Sequence, residues 1–130
     1  MALAILVAGP PCAGKNHYID HHRAPGDVVL DQDAIGAAAF TAAVARLEHE
    51  RPTVRTWVIR CCAGASARRR FAQRIHADHT VLLTEPEPVL LARARQRPYP
   101  HRHIKAVQTW LAQEARDPEP EPQPRPLTRW

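Results

Sequence analysis

Apolar residues in this chain come in short blocks whose period changes in a regular order. Ala2-Leu3-Ala4-Ile5-Leu6-Val7-Ala8 is unbroken and of strand length, the pattern of a parallel strand buried on both faces. Val28-Val29-Leu30, Val54 to Arg60 and Thr80-Val81-Leu82-Leu83-Thr84 read as three further strands. Helical patterns lie between and after them. The first runs from about Lys15 to His22, and the turn Arg23–Asp27 follows, punctuated by Pro25-Gly26. A long Ala-rich helix from about Ala34 to Glu50 sets Phe40, Val44 and Leu47 on one face. A helix from about Ser66 to His76 carries Ala67, Phe71 and Ile75 at i, i+4 spacing. Pro86 and Pro88 introduce one with Leu90, Leu91 and Ala94, which Arg97-Pro98-Tyr99-Pro100 breaks. The last, about His103 to Arg116, aligns Ile104, Val107 and Leu111 with Trp110 beside them.

Strands alternating with helices predict an α/β fold, three layers deep (α/β/α), around a short, mostly parallel sheet of about four strands. Right-handed crossovers put the C-terminal ends of all strands on one rim, where open α/β sheets bind ligands. The segments expected on that rim are Gly9–Asn16, Asp31–Asp33, Arg60–Gly64 and Thr84–Glu87.

The first of these carries the most specific signal. Gly9-Pro10-Pro11-Cys12-Ala13-Gly14-Lys15-Asn16 fits Gly-x-x-x-x-Gly-Lys, the phosphate-binding P-loop (Walker A) pattern, in the strand–loop–helix context that the pattern needs. Glycines at both ends permit turns that a Cβ forbids. Successive N–H groups then face inward as a nest for phosphate oxygens, helped by the N-terminal donors of the next helix. Lys15 supplies a mobile charge for the β- and γ-phosphates. Position 16, where the pattern has Ser or Thr to hold Mg²⁺, is Asn16. An amide oxygen can bind Mg²⁺, but it sits on a longer arm, and this ion demands tight octahedral geometry.

Composition changes this picture little. One domain fits 130 residues, with a core permitted by 45% hydrophobic content. The net charge of +5 suits phosphate-bearing partners, but sixteen Arg against two Lys, in an Ala- and Pro-rich chain, indicates GC-rich codon bias. Cys12, Cys61 and Cys62 form neither a disulfide framework nor a zinc spacing. Free thiols, no signal-peptide pattern and no apolar run approaching the ~20 residues of a membrane span predict a cytoplasmic protein with no membrane partner. From Asp117 prolines alternate with polar residues, which divides the chain into a nucleotide-binding domain, 1–116, and a Pro-rich disordered tail, 117–130.

Four groups are candidates for chemistry. Asp31-Gln32-Asp33 follows the second strand; one carboxylate could take a proton from an acceptor hydroxyl, and the other could support Mg²⁺, although Asp33 also suits a helix cap. Arg93 and Arg97, at i, i+4 spacing, could fold over a nucleotide and neutralise developing charge. Arg68 and Arg69, with Arg70 and Arg74, could hold an acceptor phosphate or a nucleic-acid backbone, or form a solvated face. His17 and His21 have the helical spacing of a metal pair, but no Glu or Cys nearby completes a set. Arg60 ends the third strand, where many P-loop proteins carry an acidic Walker B residue.

Gly9–Lys15, Val28-Val29-Leu30-Asp31-Gln32-Asp33, Trp57–Phe71 and Leu90–Arg97 together resemble the small P-loop kinases, particularly polynucleotide-kinase-like and gluconate-kinase-like members often labelled AAA-domain ATPases. The resemblance covers roughly residues 1–112 and implies a P-loop NTPase fold. It also implies Asp33 as general base and Arg93 and Arg97 as lid arginines clamping ATP. The expected function is therefore ATP (or GTP) binding with Mg²⁺, and transfer of the γ-phosphate to a small hydroxyl-bearing or nucleotide-like acceptor. Lys15, Asp33, Arg93 and Arg97 would be catalytic; Gly9, Pro10, Pro11, Cys12, Ala13, Gly14, Lys15 and Asn16 would bind nucleotide; Arg68 and Arg69 would bind acceptor; Asn16 and Asp31 would support the metal. Asn16, Arg60, and Gly36 where polynucleotide kinases carry Arg, motivate the competing reading. In it the chain is a catalytically impaired nucleotide-binding module acting through protein or nucleic-acid binding.

Overall fold

A computed structural model describes residues 3–120. The elements are β1 (Ala4–Ala8), α1 (Lys15–His22), β2 (Val28–Leu30), α2 (Gln32–Ile35), α3 (Ala37–His49), β3 (Thr56–Arg60), α4 (Ala65–Arg74), β4 (His79–Leu82), α5 (Glu87–Arg95) and α6 (Pro100–Arg116). The four strands form one all-parallel sheet in the order β2-β3-β1-β4. The α/β expectation holds, and every residue of β1 is buried, as its unbroken apolar run demands.

Alternation along the strands assigns the two faces. Leu6, Ala8 and Val58 pack with Phe40, Val44 and Leu47 of α3 and with Phe71 and Ile75 of the α4 region. Ile5, Val7, Trp57 and Val81 point the other way, onto Ile19 of α1. Burying the four aliphatic side chains Ile5, Leu6, Val7 and Val58 on each other and on helices contributes about 1.5–3 kcal/mol apiece before the entropy of ordering is charged. A third cluster lies at the rim, where Cys12 and Ala13 pack with Leu90, Ala94 and Val107 of α5 and α6.

Several boundaries differ from expectation for local reasons. The long Ala-rich helix is two helices, because Gly36 takes φ +91° between them. Asp31 forces a separate start by accepting a hydrogen bond from the Asp33 backbone N–H at 3.1 Å. α6 begins at Pro100, three residues before the expected start, with its proline in the first turn. Helix α4 buries Ala65, Arg68 and Phe71, so Arg68 belongs to the interior and not to the expected basic outer side. Asp117 and Glu119, assigned to the tail from sequence, bond to residues of α4; of that segment only 117–120 are described, and 121–130 lie outside the described residues.

Asp27 ties the far end of the sheet together. One carboxylate oxygen accepts from the Ala24 N–H at 2.9 Å, Arg55 Nε at 2.8 Å and Trp57 Nε1 at 2.9 Å. Arg55 Nη2 also lies 2.7 Å away, and the carboxylate is 8% exposed. Burial pushes the Asp27 pKa up, but the hydrogen bonds from Trp57 and Arg55 outweigh it and hold it below the ordinary 3.8. Replacing Asp27 with Ala removes the carboxylate that pairs Arg55 and accepts from the indole N–H, and should cost roughly 3 kcal/mol in urea denaturation at neutral pH. Because the folded pKa is depressed, this stabilisation is present above about pH 3.8 and is lost as pH falls through the folded value, so the wild-type and D27A curves should converge in acid.

Candidate functional site

The loop after β1 is fixed from both sides of the sheet. Gly9 sits at φ +152°, donates its N–H to the Cys61 carbonyl at 3.2 Å, and passes so close to the β4 exit that a Cβ would lie 2.3 Å from the Leu83 carbonyl oxygen. The chain turns with Ala13 N–H on the Pro10 carbonyl at 3.3 Å, through Cys12 in the left-handed region at φ +69°. Gly14, left-handed at φ +89°, is the N-cap of α1. Arg93 Nη1 donates to the Cys12 carbonyl at 2.9 Å from α5, while its Nη2 lies 3.6 Å from Glu85.

Lys15 folds back over this loop. Its Nζ donates to the carbonyls of Gly9 at 2.9 Å and Pro10 at 2.8 Å, and lies 3.8 Å from Cys61 Sγ. Burial lowers the Lys15 pKa, while the adjacent Cys61 opposes the shift.

A cleft of about 640 Å³ opens in front of Lys15. Pro11, Cys12, Gly14, Lys15 and Asn16 form one wall; Asp31, Gln32, Asp33 and Phe40 form another; Ile59, Arg60 and Cys61 lie along the end of β3 between them. Arg97 comes over from the α5–α6 turn, and His103 and Ala106 from the first two turns of α6. The cleft thus brings together Lys15 and Asn16, Asp31 and Asp33, and Arg97, residues from three separate segments, the first two of which the rim argument expected. Asp31 is occupied as the N-cap of α2, whereas the Asp33 carboxylate makes no hydrogen bond or ion pair among the described residues. Arg60 lies with its guanidinium 4.7 Å from the Phe71 ring centroid.

Three expected site residues are elsewhere. Arg93 braces the Cys12 carbonyl and does not line the cleft, because α5 ends at Arg95 and Arg97 lies beyond it. The i, i+4 relation of these two arginines is therefore not realised. Arg68 and Arg69 also lie outside the cleft lining. Arg68 is 3% exposed and pairs bidentately with Glu114, Nη1–Oε1 at 2.6 Å and Nη2–Oε2 at 2.8 Å. It also donates to the Cys62 carbonyl and to Glu119. Arg69 is exposed beside Ser66.

The N-terminus of α4, a natural place for an acceptor anion, is already filled by this chain. Gly64 N–H donates to Glu114 Oε1 at 2.8 Å, Ala65 N–H to the Asp117 carbonyl at 2.7 Å, and Ser66 N–H to Asp117 Oδ2 at 2.9 Å. Burial raises the Glu114 pKa, but Arg68 and the Gly64 N–H outweigh it and leave the value lowered. Burial also pushes the Cys62 thiol up to about 11, so Cys62 is an inert packing residue at neutral pH.

Sequence reasoning did not single out His103 or Phe40 as cleft residues, and nothing local marks them; they arrive through the first turn of α6 and the start of α3. His17 does line the cleft, with His21 in edge contact at 4.6 Å, but no group of three His, Cys, Asp or Glu suited to a metal occurs among the described residues. No helix among them is long and apolar enough to cross a membrane. No protein-family model matches the sequence, and no curated protein matches it.

Two substitutions separate packing from backbone strain in the loop. Gly9→Ala drives a Cβ into backbone and should lower stability by about 3 kcal/mol or more, whereas Gly14→Ala meets nothing within 4 Å and should cost only the ~1–2 kcal/mol of a left-handed non-glycine residue. Thermal and urea unfolding of the two variants measure the difference. Glu114→Ala leaves the buried Arg68 with Glu119 as its one carboxylate partner and the Gly64 N–H without its acceptor, and should cost roughly 3 kcal/mol by the same measurement.

Proposed function

We propose that this chain is a P-loop phosphotransferase that binds a nucleoside triphosphate, ATP or GTP, and passes its γ-phosphate to a small hydroxyl-bearing or nucleotide-like acceptor. The observation that carries the reading is the single cleft shared by Lys15, the glycine-bounded loop, the unengaged Asp33 carboxylate and Arg97. The resemblance to small kinases over Gly9–Lys15 supports it.

In this reading the triphosphate lies along the loop and the N-terminus of α1, where free backbone donors and the helix dipole favour anions. Lys15 exchanges its two carbonyl partners for β- and γ-phosphate oxygens. Asn16 and Asp31 offer two oxygen donors at the same cleft, a set that suits Mg²⁺, which keeps several waters and takes few protein ligands. Bound there, Mg²⁺ would neutralise charge on the β and γ oxygens. Asp33 accepts the proton of the acceptor hydroxyl as its oxygen attacks the γ-phosphorus. The bond from that phosphorus to the bridging oxygen breaks, and the nucleoside diphosphate carries away the electron pair. Arg97 stabilises charge developing during transfer.

Two observations favour the second reading, a nucleotide-binding module with little turnover. Arg60, a cation, ends β3 between the two walls, and position 16 lacks the usual hydroxyl.

Titration with ATP and Mg²⁺, followed calorimetrically and by transfer of labelled γ-phosphate across an acceptor panel, tests both readings. Lys15→Ala should weaken nucleotide binding roughly tenfold or more, the loss of a charge-assisted contact set. Asp33→Asn should leave binding intact and lower kcat roughly 10²- to 10⁴-fold. Lys15-dependent binding with no transfer, restored to turnover in Asn16→Ser, would favour the second reading. Absence of Lys15-dependent binding would sink both.

A further inference from the structure

The chain's charge is unevenly placed. Between positions 88 and 113 there are five Lys or Arg and no Asp or Glu, so this stretch alone accounts for the whole formal net charge of +5. It folds as the α5–α6 hairpin. Two of its cations are engaged elsewhere, Arg93 on the Cys12 carbonyl and Arg97 in the lining of the cleft. Arg95, Arg102 and Lys105 are exposed and pair with no carboxylate among the described residues. Arg102 and Lys105 are three apart on α6, and Arg116 follows on the same face, setting cations along about 20 Å at 1.5 Å per residue.

An exposed aromatic stands at the head of this stripe. Tyr99 is 74% exposed and held at φ +56° between Pro98 and Pro100, with the Arg102 guanidinium 5.7 Å from its ring centroid. A large ring left in solvent, in a backbone conformation costly to a non-glycine residue, has no core-packing role among the described residues. Cations tracking one line with an aromatic platform at its end match the backbone and bases of a single-stranded nucleic acid. A lipid surface would require an apolar face, and the apolar face of α6 is spent on Val107 and Trp110 inside the fold.

We propose that the outer face of the α5–α6 hairpin binds single-stranded nucleic acid, with Arg95, Arg102 and Lys105 on phosphates and Tyr99 stacked on a base. This surface lies outside the cleft and does not depend on what the cleft binds.

The test is fluorescence anisotropy of labelled oligo(dT), about twelve nucleotides long to exceed a single-domain site. The wild-type chain should bind with log K falling against log salt at a slope of about −2, from three phosphates at ~0.7 each. The triple variant R95E/R102E/K105E should lose affinity at least tenfold, and Tyr99→Ala on the order of tenfold. All four positions are exposed, and circular dichroism checks that the variants fold. Lys15→Ala should bind oligo(dT) as wild type does, even if it loses nucleotide. Unchanged binding by the triple variant would overturn the proposal. So would loss of binding in Lys15→Ala, which would put the strand in the cleft. Equal competition by polyglutamate with no effect of Tyr99→Ala would reduce the surface to a charge patch, and binding to phosphatidylserine vesicles but not to oligo(dT) would assign it to membranes.

Discussion

The site depends on one close approach, the backbone of Gly9 against the Leu83 carbonyl. β1 is the only strand with two neighbours that also feeds the loop, so the loop inherits its position from the register of β3 on one side and β4 on the other. Gly9 adds the final constraint, because its N–H reaches Cys61 beyond β3 while its α-carbon presses on Leu83 beyond β4. Both neighbouring strand exits are thereby held to the same residue. The parallel sheet supplies the rim, and the missing side chain at position 9 closes it tightly enough for Lys15, Cys61 and the α5–α6 turn to meet.

The C-terminal end of α6 performs a second fixing role. Glu114 and Asp117 satisfy the first donors of α4, and Arg68 carries their charge into the interior. These groups would each be costly to bury alone; together they neutralise one another and complete the hydrogen bonding of a helix start. The Cys62 carbonyl is held by the same Arg68, and the Cys61 carbonyl by Trp110 at 2.8 Å, so α6 steadies the stretch after β3 that lines the cleft. An α4 terminus available to ligands would have left this junction unsatisfied.

Much of the fold was legible because its signals are local. The unbroken run at Leu3–Ala8, the punctuation at Pro25-Gly26 and the face of Phe40, Val44 and Leu47 each specify an element without knowledge of the rest. The rim rule then gathered Lys15, Asp31 and Asp33 correctly, since strand polarity alone determines which loops are neighbours. Features that needed partners distant in sequence were not legible. Arg68 looked like part of a basic helix face until Glu114 and Glu119 supplied its partners. Asp27 looked like an ordinary turn residue, though Arg55 and Trp57 converge on it. Arg93 and Arg97 satisfied a helical spacing, but Pro98 and the left-handed Tyr99 end the helix between their roles.

The posture of Lys15 has a consequence for selectivity. Its ammonium group already holds two carbonyl dipoles of its own loop, so the resting loop is internally compensated. An incoming anion must outbid that arrangement and does not simply gain a contact. The net gain is a difference between two ion–dipole sets, which penalises weakly charged, monodentate species and rewards those that can meet the ammonium and the loop amides together. In the proposed nucleotide-binding reading the lysine would thus act as a threshold, discriminating against common small anions by exchange cost instead of by shape.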